Sequence, residues 1–368
     1  MAKSVISADS HVTEPPDCYV ARIDHRYRDR APHLVTDPKR GDMFVIDGMP
    51  KPIPMGLIAA AGKDASELTM FGARWEDLHR GGWDPEARLA DQDRDGVAAE
   101  VIYPTVGMML CNHPDFDYKQ ACFDAYNLWI AEYCGSHPDR LIGVGQTAMR
   151  SVESAIEDLR RIKELGLRGV MVAGSPAVSD FDDPMYDPFY EAAVDLELPL
   201  SFHILTSQQD NFRTRGPKLN AFLSIIRGCQ DIAGVFVLGG VFERHPKLRM
   251  VIVEADAGWV PHFMYRMDHA YERHRYWLPA GQISKMPSEY FRENVYTTFQ
   301  DDWVAFQVKD LCNIERLLWA NDFPHSDSTW PNSQELLAKH TAHLTLEEKD
   351  LLLHDNVARL YGLDRRAL

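Results

Sequence analysis

LELPLSFH, residues 196–203, contains the pattern that decides the fold of this chain. Leu196 ends a predicted helix, Pro199 marks a turn, and a strand starts near Leu200, with His203 at its end. The same alternation of a helix-like segment with a short, mostly apolar run recurs along the chain. Strands are predicted near 4–9, 97–103, 140–148, 167–173, 198–204, 248–254, 294–300 and 316–321.

The composition of the predicted strands indicates a parallel sheet. Runs such as 167–173 and 248–253 are mostly apolar, which suits strands that are covered on both faces. Strands that alternate with helices in this way favour an α/β fold, the (β/α)₈ TIM barrel, whose active site lies at the C-terminal ends of its strands. A doubly wound open sheet is the alternative, but no G-x-G-x-x-G motif follows a predicted strand.

We expect residues 1–368 to form a single metal-dependent barrel domain with two excursions. Residues 12–96 are too many for an ordinary barrel connection, so they predict a cap over the barrel mouth. Within them, Asp47-Gly48 favours a hairpin and Asp84-Pro85 favours a helix start. Residues 255–293 are rich in aromatic and cationic side chains and predict a lid over an organic substrate; packing against the insertion or a partner subunit is the alternative. Residues 344–363 predict C-terminal capping helices.

Charge and cysteine usage narrow the class of protein. The 39 basic and 55 acidic residues give a net charge of −16, which is evidence against a nucleic-acid surface. The six cysteines are scattered without a C-x-x-C pair, as in a reduced cytosolic chain. No apolar run approaches the length of a membrane span, and no signal-peptide core is seen at the N-terminus. We therefore expect a cytoplasmic protein that binds a small organic molecule, with homo-oligomerisation as the general expectation.

Potential metal ligands lie at or just beyond the ends of four predicted strands. Ionised groups at the ends of buried strands need a partner, so several of them together predict convergence on a cation. The first strand offers two donors on one side, because alternate residues of a strand share a face. The candidate ligands are Asp9, His11, Glu14, His203, Glu254 and Asp322.

Each candidate also has a simpler interpretation. Glu14 could be a helix N-cap or a surface carboxylate, and His203 a hydrogen-bonded core histidine. Glu254, after an apolar run, could be paired with an arginine.

Two further residues lie close to these candidates. Asp256 could support a ligand or cap the next helix. His325 lies three residues beyond Asp322, where it could hydrogen-bond a ligand or a reacting group.

Five stretches together carry a resemblance to a known family: Ala8-Asp9-Ser10-His11 through Glu14-Pro15, residues 84–97 (DPEARLADQDRDGV), Ser201-Phe202-His203, residues 242–248 (FERHPKL) and Asn321-Asp322-Phe323-Pro324-His325. The chain resembles the amidohydrolase-related family that contains aminocarboxymuconate-semialdehyde decarboxylase and the dihydroxybenzoate decarboxylases. The resemblance covers nearly the whole chain. It implies a TIM barrel with a divalent metal at the ends of strands one, five and eight, held by Asp9, His11, His203 and Asp322.

Two departures from that family change the expected chemistry. Many relatives have H-x-H at the first site, where this chain has Asp9, and many have a histidine after strand six, where it has Glu254. The resulting set of two histidines and four carboxylates matches, in number and type, the ligands of non-haem di-iron proteins. The chain is then similar to a di-iron monooxygenase branch on the amidohydrolase fold, which acts on diterpenoid coenzyme A thioesters in platensimycin-type biosynthesis.

We therefore expect a non-haem di-iron monooxygenase with two Fe ions and an organic substrate such as an acyl-CoA. The alternative is a mononuclear decarboxylase or hydrolase with one Zn or Mn ion, which would polarise a carboxylate or carbonyl group. In that case Glu254 or His325 would be the catalytic acid or base. A non-catalytic protein with a structural metal is a third hypothesis.

Overall fold

The structure is a computed structural model that describes residues 3–207 and 216–363. Its strands in chain order are β1 (Val5–His11), β2 (His33–Asp37), β3 (Gly41–Val45), β4 (Ile53–Pro54), β5 (Val97–Tyr103), β6 (Leu141–Thr147), β7 (Gly169–Val172), β8 (Leu200–His203), β9 (Met250–Val253), β10 (Val295–Phe299) and β11 (Leu317–Trp319).

The α-helices are α1 (Pro85–Asp95), α2 (Val106–Leu110), α3 (Phe116–Gly135), α4 (Val152–Glu164), α5 (Asp187–Asp195), α6 (Arg227–Leu238), α7 (Val241–Arg244), α8 (Val260–His274), α9 (Pro287–Asn294), α10 (Trp303–Val308), α11 (Ser333–His340), α12 (Leu346–Asp350) and α13 (Asn356–Leu360). A π-helical turn, Leu351–Asp355, joins the last two. Short 3₁₀ turns span His25–Arg30, Ala65–Glu67, Trp75–Asp77, Arg80–Gly82, Pro184–Tyr186, Lys218–Ala221, Lys309–Leu311 and Ile314–Arg316.

Eight parallel strands form the barrel, in the order β1-β5-β6-β7-β8-β9-β10-β11. The predicted (β/α)₈ fold is therefore confirmed. The last strand returns to the first just beyond its end, where Asp322 N donates to Asp9 O (3.0 Å) and His11 N donates to Phe323 O (2.7 Å). These two bonds place the chain that follows β11 beside the end of β1.

Burial of both faces explains the sequence of the strands. Every residue of β7, β8 and β9 is buried, because helices cover the outside of the sheet and packed side chains fill the inside. α1 begins as predicted, with Asp84 accepting hydrogen bonds from two backbone N–H groups and Pro85 in the first turn. Gly96, at φ 68°, ends that helix in the left-handed conformation that glycine tolerates.

Residues 12–96 contain α1 and a small antiparallel sheet, in the order β2-β3-β4. This insertion lies against the segment that follows β11. Ala61 N donates to Pro324 O (3.0 Å), and Ser326 N donates to Leu57 O (2.9 Å). The insertion is therefore attached at the C-terminal end of the barrel, and its role as a cap over substrate stays a prediction.

The second excursion, 255–293, contains α8 and all but the last residue of α9. Residues 272–280 are all exposed, and Tyr276 and Trp277 are 79% and 68% exposed. That this segment is a lid also stays a prediction. All six cysteines are buried and free of disulfides. Across residues 3–207 and 216–363, none of the helices combines the length and the apolar character that crossing a bilayer requires.

Candidate metal centre

Five of the six predicted ligands meet at the C-terminal end of the barrel. Asp9 and His11 lie at the end of β1, His203 ends β8, Glu254 directly follows β9, and Asp322 follows β11. The His11 Nε2 atom lies 3.4 Å from an oxygen of Asp9, 3.5 Å from Asp322, 3.8 Å from Glu254 and 3.2 Å from the His203 Nε2 atom. Strands far apart in sequence thus bring nitrogen and oxygen donors to one point.

The donors form two overlapping groups, in each of which one ligand atom per residue lies within 4.8 Å of all the others. The first group is Asp9, His11, His203 and Glu254, and the second is His11, Glu254, Asp322 and His325. Both oxygens of Asp9 and both of Asp322 are buried, without a hydrogen-bond partner in the part of the chain that the structure describes. Buried carboxylate oxygens without a partner are costly, so the group fits a divalent cation.

Two backbone carbonyls orient the imidazoles toward this point. His11 Nδ1 lies 2.9 Å from Pro104 O, and His203 Nδ1 lies 3.1 Å from Ile204 O. Because a carbonyl oxygen only accepts, Nδ1 carries the proton in both rings. In the neutral form of each ring, Nε2 then has a free lone pair, which is the form in which histidine binds metals.

Left-handed backbone conformations turn two of the carboxylates into the site. Glu254 has φ 58° and Asp322 has φ 51°, which is uncommon for residues other than glycine. Each follows a barrel strand, and Thr298 Oγ1 holds the first turn by accepting from Glu254 N (2.8 Å). Such backbone strain persists where the surroundings enforce it, and it is concentrated at functional sites.

Burial, together with the crowding of charge, strongly shifts the pKa values of the site. Burial raises the pKa of Glu254 well above its usual range, and the adjacent Asp322 carboxylate adds to this. Burial also raises the pKa of Asp322, with a further contribution from Asp9. In the opposite direction, burial and the neighbouring His325 lower the pKa of His11 to about 3, and burial lowers the pKa of His325 to about 3. Three carboxylates so close together repel one another unless a cation lies between them.

Glu14 is the predicted ligand that the structure does not bring to this group. Its carboxylate accepts hydrogen bonds from the backbone N–H groups of Thr105, Val106 and Gly107 at 3.0 to 3.3 Å, and from the Tyr19 hydroxyl at 3.2 Å. Both oxygens are occupied in holding the first turn of α2. This corrects the prediction that Glu14 lies with the other ligands. Glu14 is neither a surface carboxylate nor an N-cap, because Thr105 is the N-cap of α2 and the Glu14 carboxylate accepts from the N–H groups at the start of that helix.

Glu254 has no arginine partner within residues 3–207 and 216–363. Its nearest basic groups are the Nε2 atoms of His11, at 3.8 Å, and of His203, at 3.3 Å. Its side chain is 15% exposed, whereas those of Asp9 and Asp322 are fully buried. It is therefore the most accessible carboxylate of the group.

Arg88 is a supporting residue that the sequence did not single out. It is fully buried, pairs with Glu100 through Nε (2.5 Å) and donates from Nη1 to His11 O (2.7 Å) and from Nη2 to Phe323 O (3.4 Å). It therefore ties together the two chain segments that carry His11 and Asp322. The feature of the sequence that could have indicated this role is an arginine on the inner face of α1, within the 84–97 stretch.

A cavity of about 690 Å³ opens beside the loops that carry Glu254 and Asp322. Its wall includes Asp256 and Asp327 from those loops, Gln300 after β10, and Lys63 and Trp330. Its volume is in the range of small-molecule sites.

The family of the chain is shown by its match to a family model. The model described as amidohydrolase matches residues 9–363, so the chain belongs to the amidohydrolase family and is an enzyme of that superfamily. The two histidines and the buried carboxylates at its strand ends form a group that could hold a metal ion.

Curated relatives of the chain are named as decarboxylases. It is 28% identical over 312 residues to 2-amino-3-carboxymuconate-6-semialdehyde decarboxylase of Dictyostelium discoideum, which covers 81% of this chain and 82% of the relative. It is 26% identical over 272 residues to gamma-resorcylate decarboxylase of Rhodococcus jostii, which covers 64% of this chain and 75% of the relative.

Solved structures share the fold over the whole chain. An amidohydrolase from Mycobacterium avium subsp. paratuberculosis aligns with a TM-score of 0.81 at 22% identity, covering 98% of this chain and 100% of that one. A 5-carboxyvanillate decarboxylase from Novosphingobium aromaticivorans, with bound manganese and a nitrobenzoic acid, aligns with a TM-score of 0.70 at 19% identity, covering 98% and 97%.

The prediction of a non-haem di-iron monooxygenase is wrong. The curated relatives are named as decarboxylases, and none of the findings supports two Fe ions. The prediction depended on a tally of six ligands, one of which, Glu14, binds backbone N–H groups instead. Carboxylate and imidazole donors also suit a single ion such as manganese, so the tally alone could not identify iron.

Proposed function

We propose that this protein is a metal-dependent decarboxylase of a small organic acid. One observation carries the proposal: unpartnered, buried Asp9 and Asp322 converge with two correctly oriented histidines in a chain whose curated relatives are named as decarboxylases. The substrate class suggested by those names is a benzoate-like or unsaturated carboxylic acid.

The donor set supports one divalent ion, Mn²⁺ or Zn²⁺. Manganese is coordinated by carboxylate oxygens and by imidazole nitrogens. The 5-carboxyvanillate decarboxylase structure of the same fold contains manganese. The side chains that would hold the ion are Asp9, His11, His203 and Asp322. When bound, such an ion supplies positive charge that stabilises the negative charge developing on the substrate as carbon dioxide departs.

Glu254 is the proton donor in this proposal. Decarboxylation breaks the bond between the carboxylate carbon and its neighbour, and the electron pair stays on the neighbouring carbon. A proton from Glu254 forms the new C–H bond there, carbon dioxide leaves, and Glu254 takes up a proton from solvent. Its position beside His203 and its 15% exposure, greater than that of the buried aspartates, support this role. The reaction needs no oxidant.

Metal reconstitution under anaerobic conditions tests the proposal. Protein stripped with a chelator is reloaded with Mn²⁺ or Zn²⁺ and supplied with hydroxybenzoates and carboxymuconate semialdehydes, and released carbon dioxide is measured. We expect carbon dioxide release that requires the metal and proceeds without oxygen. Absence of carbon dioxide from every acid, with the metal bound, would reject the proposal.

Glu254→Gln tests the proton donor separately. We expect it to lower turnover by about 10²- to 10⁴-fold, the usual contribution of a general acid, while the protein still binds metal. The matched control is Glu153→Gln, at an exposed glutamate of α4 far along the chain from the site residues. Wild-type turnover by Glu254→Gln would remove Glu254 from the reaction.

A further inference from the structure

Thr105, just beyond β5, has a hydroxyl group that lies between a backbone carbonyl and a histidine of the metal centre. Its hydroxyl oxygen lies 2.6 Å from Val12 O and 3.0 Å from the Nε2 atom of His325. The carbonyl of Val12 can only accept, so the single hydroxyl proton of Thr105 is donated there. Thr105 must then accept from His325, which means that the proton of the His325 ring is on Nε2.

This hydrogen bond determines what the other nitrogen of His325 can do. With the proton on Nε2, Nδ1 has a free lone pair, and it lies 3.0 Å from the Asp322 Oδ1 atom. That carboxylate oxygen has no hydrogen-bond partner among residues 3–207 and 216–363. Two acceptor atoms so close together repel each other unless a proton or a metal cation lies between them, and both atoms belong to a group that could hold a cation. His11 stacks on the same ring at 3.9 Å and 24°, which fixes the plane in which Nδ1 points.

Glu14 holds Thr105 in place. Its carboxylate accepts from the backbone N–H groups of residues 105, 106 and 107, and the Tyr19 hydroxyl donates to the same carboxylate. Glu14 is completely buried, and Thr105 is 3% exposed. The turn therefore has little freedom to move the hydroxyl away from His325.

We propose that Glu14 and Thr105 are positioning residues that hold His325 as the Nε2–H tautomer, so that its Nδ1 atom is a further donor to the cation. The inference rests on the proposed function only in requiring a divalent metal at this centre. It does not depend on the substrate or on the reaction. Glu14, which lies away from the metal, thus influences it through Thr105 and His325.

Zinc affinity of the whole protein, without substrate, is the first test. Chelator competition is compared for wild type, Thr105→Val, which removes the hydroxyl and keeps the shape, and Thr105→Ser, which restores the hydroxyl. We expect Thr105→Val to weaken Zn²⁺ binding by about 10- to 100-fold, as is usual when a partner of a ligand is removed, and Thr105→Ser to recover most of it. Thr341→Val is the matched control, because within residues 3–207 and 216–363 the buried Thr341 hydroxyl bonds only to Leu337 O.

Nitrogen NMR of the imidazole is the second test. Protein labelled with ¹⁵N-histidine is studied with and without Zn²⁺, and His325→Gln assigns the resonances. We expect a protonated Nε2 and an unprotonated Nδ1 that shifts on zinc addition, and a mixture of tautomers in Thr105→Val. A protonated Nδ1 in the wild type overturns the proposal, and this holds even if Thr105→Val does not fold.

The two proposals fail separately. Wild-type zinc affinity and an unchanged tautomer in folded Thr105→Val would reject the positioning role and leave the decarboxylase proposal intact. Loss of zinc affinity in Thr105→Val would support the positioning role. If the metal-loaded wild type at the same time releases no carbon dioxide from any acid, the decarboxylase proposal is rejected.

Discussion

Arg88→Met should destabilise the protein strongly, because it breaks a buried ion pair at the seam of the barrel. Arg88 and Glu100 are 0% and 1% exposed, so the variant leaves a buried carboxylate whose remaining donors are Gln92 and Asn321. Breaking such a pair costs about 3–5 kcal/mol. For a chain of 368 residues the unfolding entropy is roughly 0.8 kcal/mol/K, so the melting temperature should fall by about 4–6 °C.

Differential scanning calorimetry of metal-free protein measures this fall. The matched control is Arg160→Met, at an exposed arginine of α4, which should change the stability by no more than about 0.5 kcal/mol. Adding Glu100→Gln to Arg88→Met should recover part of the loss, because the unpaired charge is then removed. Equal melting temperatures for Arg88→Met and Arg160→Met would refute the assignment of Arg88 as the tie between β1 and the segment after β11.

Three further outcomes are expected. Mn²⁺ at 100 times its dissociation constant should stabilise the protein by about 2.7 kcal/mol, seen as a higher melting temperature than in chelator; no shift would contradict a metal site in the folded state. Burial raises the pKa of Asp158 to about 7, so the folded state holds this proton more tightly than the unfolded state, and the stability it contributes is present below about pH 4 and lost as pH rises through 7. The free energy of unfolding of Asp158→Asn, relative to that of wild type, should therefore rise by on the order of 2 kcal/mol from pH 5 to pH 8 in parallel calorimetry. A difference between the two proteins that does not change with pH would contradict this. Gly107→Ala should lower the unfolding free energy in urea by about 1–3 kcal/mol, because a Cβ there would lie 2.2 Å from the Gln146 Oε1 atom, while the open Gly135→Ala should not.

The sequence determined the barrel and most of the metal centre. Apolar runs that end in Asp9, His203 or Glu254 have a physical requirement for a partner, and parallel strands bring their C-terminal ends to one face. This reasoning needs only local composition and the repeat of strands and helices. It succeeded for five of the six ligand candidates in placing them together, although their role in binding metal is still a proposal.

Only the tertiary structure decided which partner each polar group meets. A carboxylate at position 14 can reach either a cation or the N–H groups of residues 105–107, and the choice depends on a turn some ninety positions away along the chain. The roles of Arg88 and Thr105 depend in the same way on carbonyls of distant segments, at His11 and Val12. Hydrogen bonds are short and directional, so they are set by the final packing, whereas burial of apolar strands follows from composition.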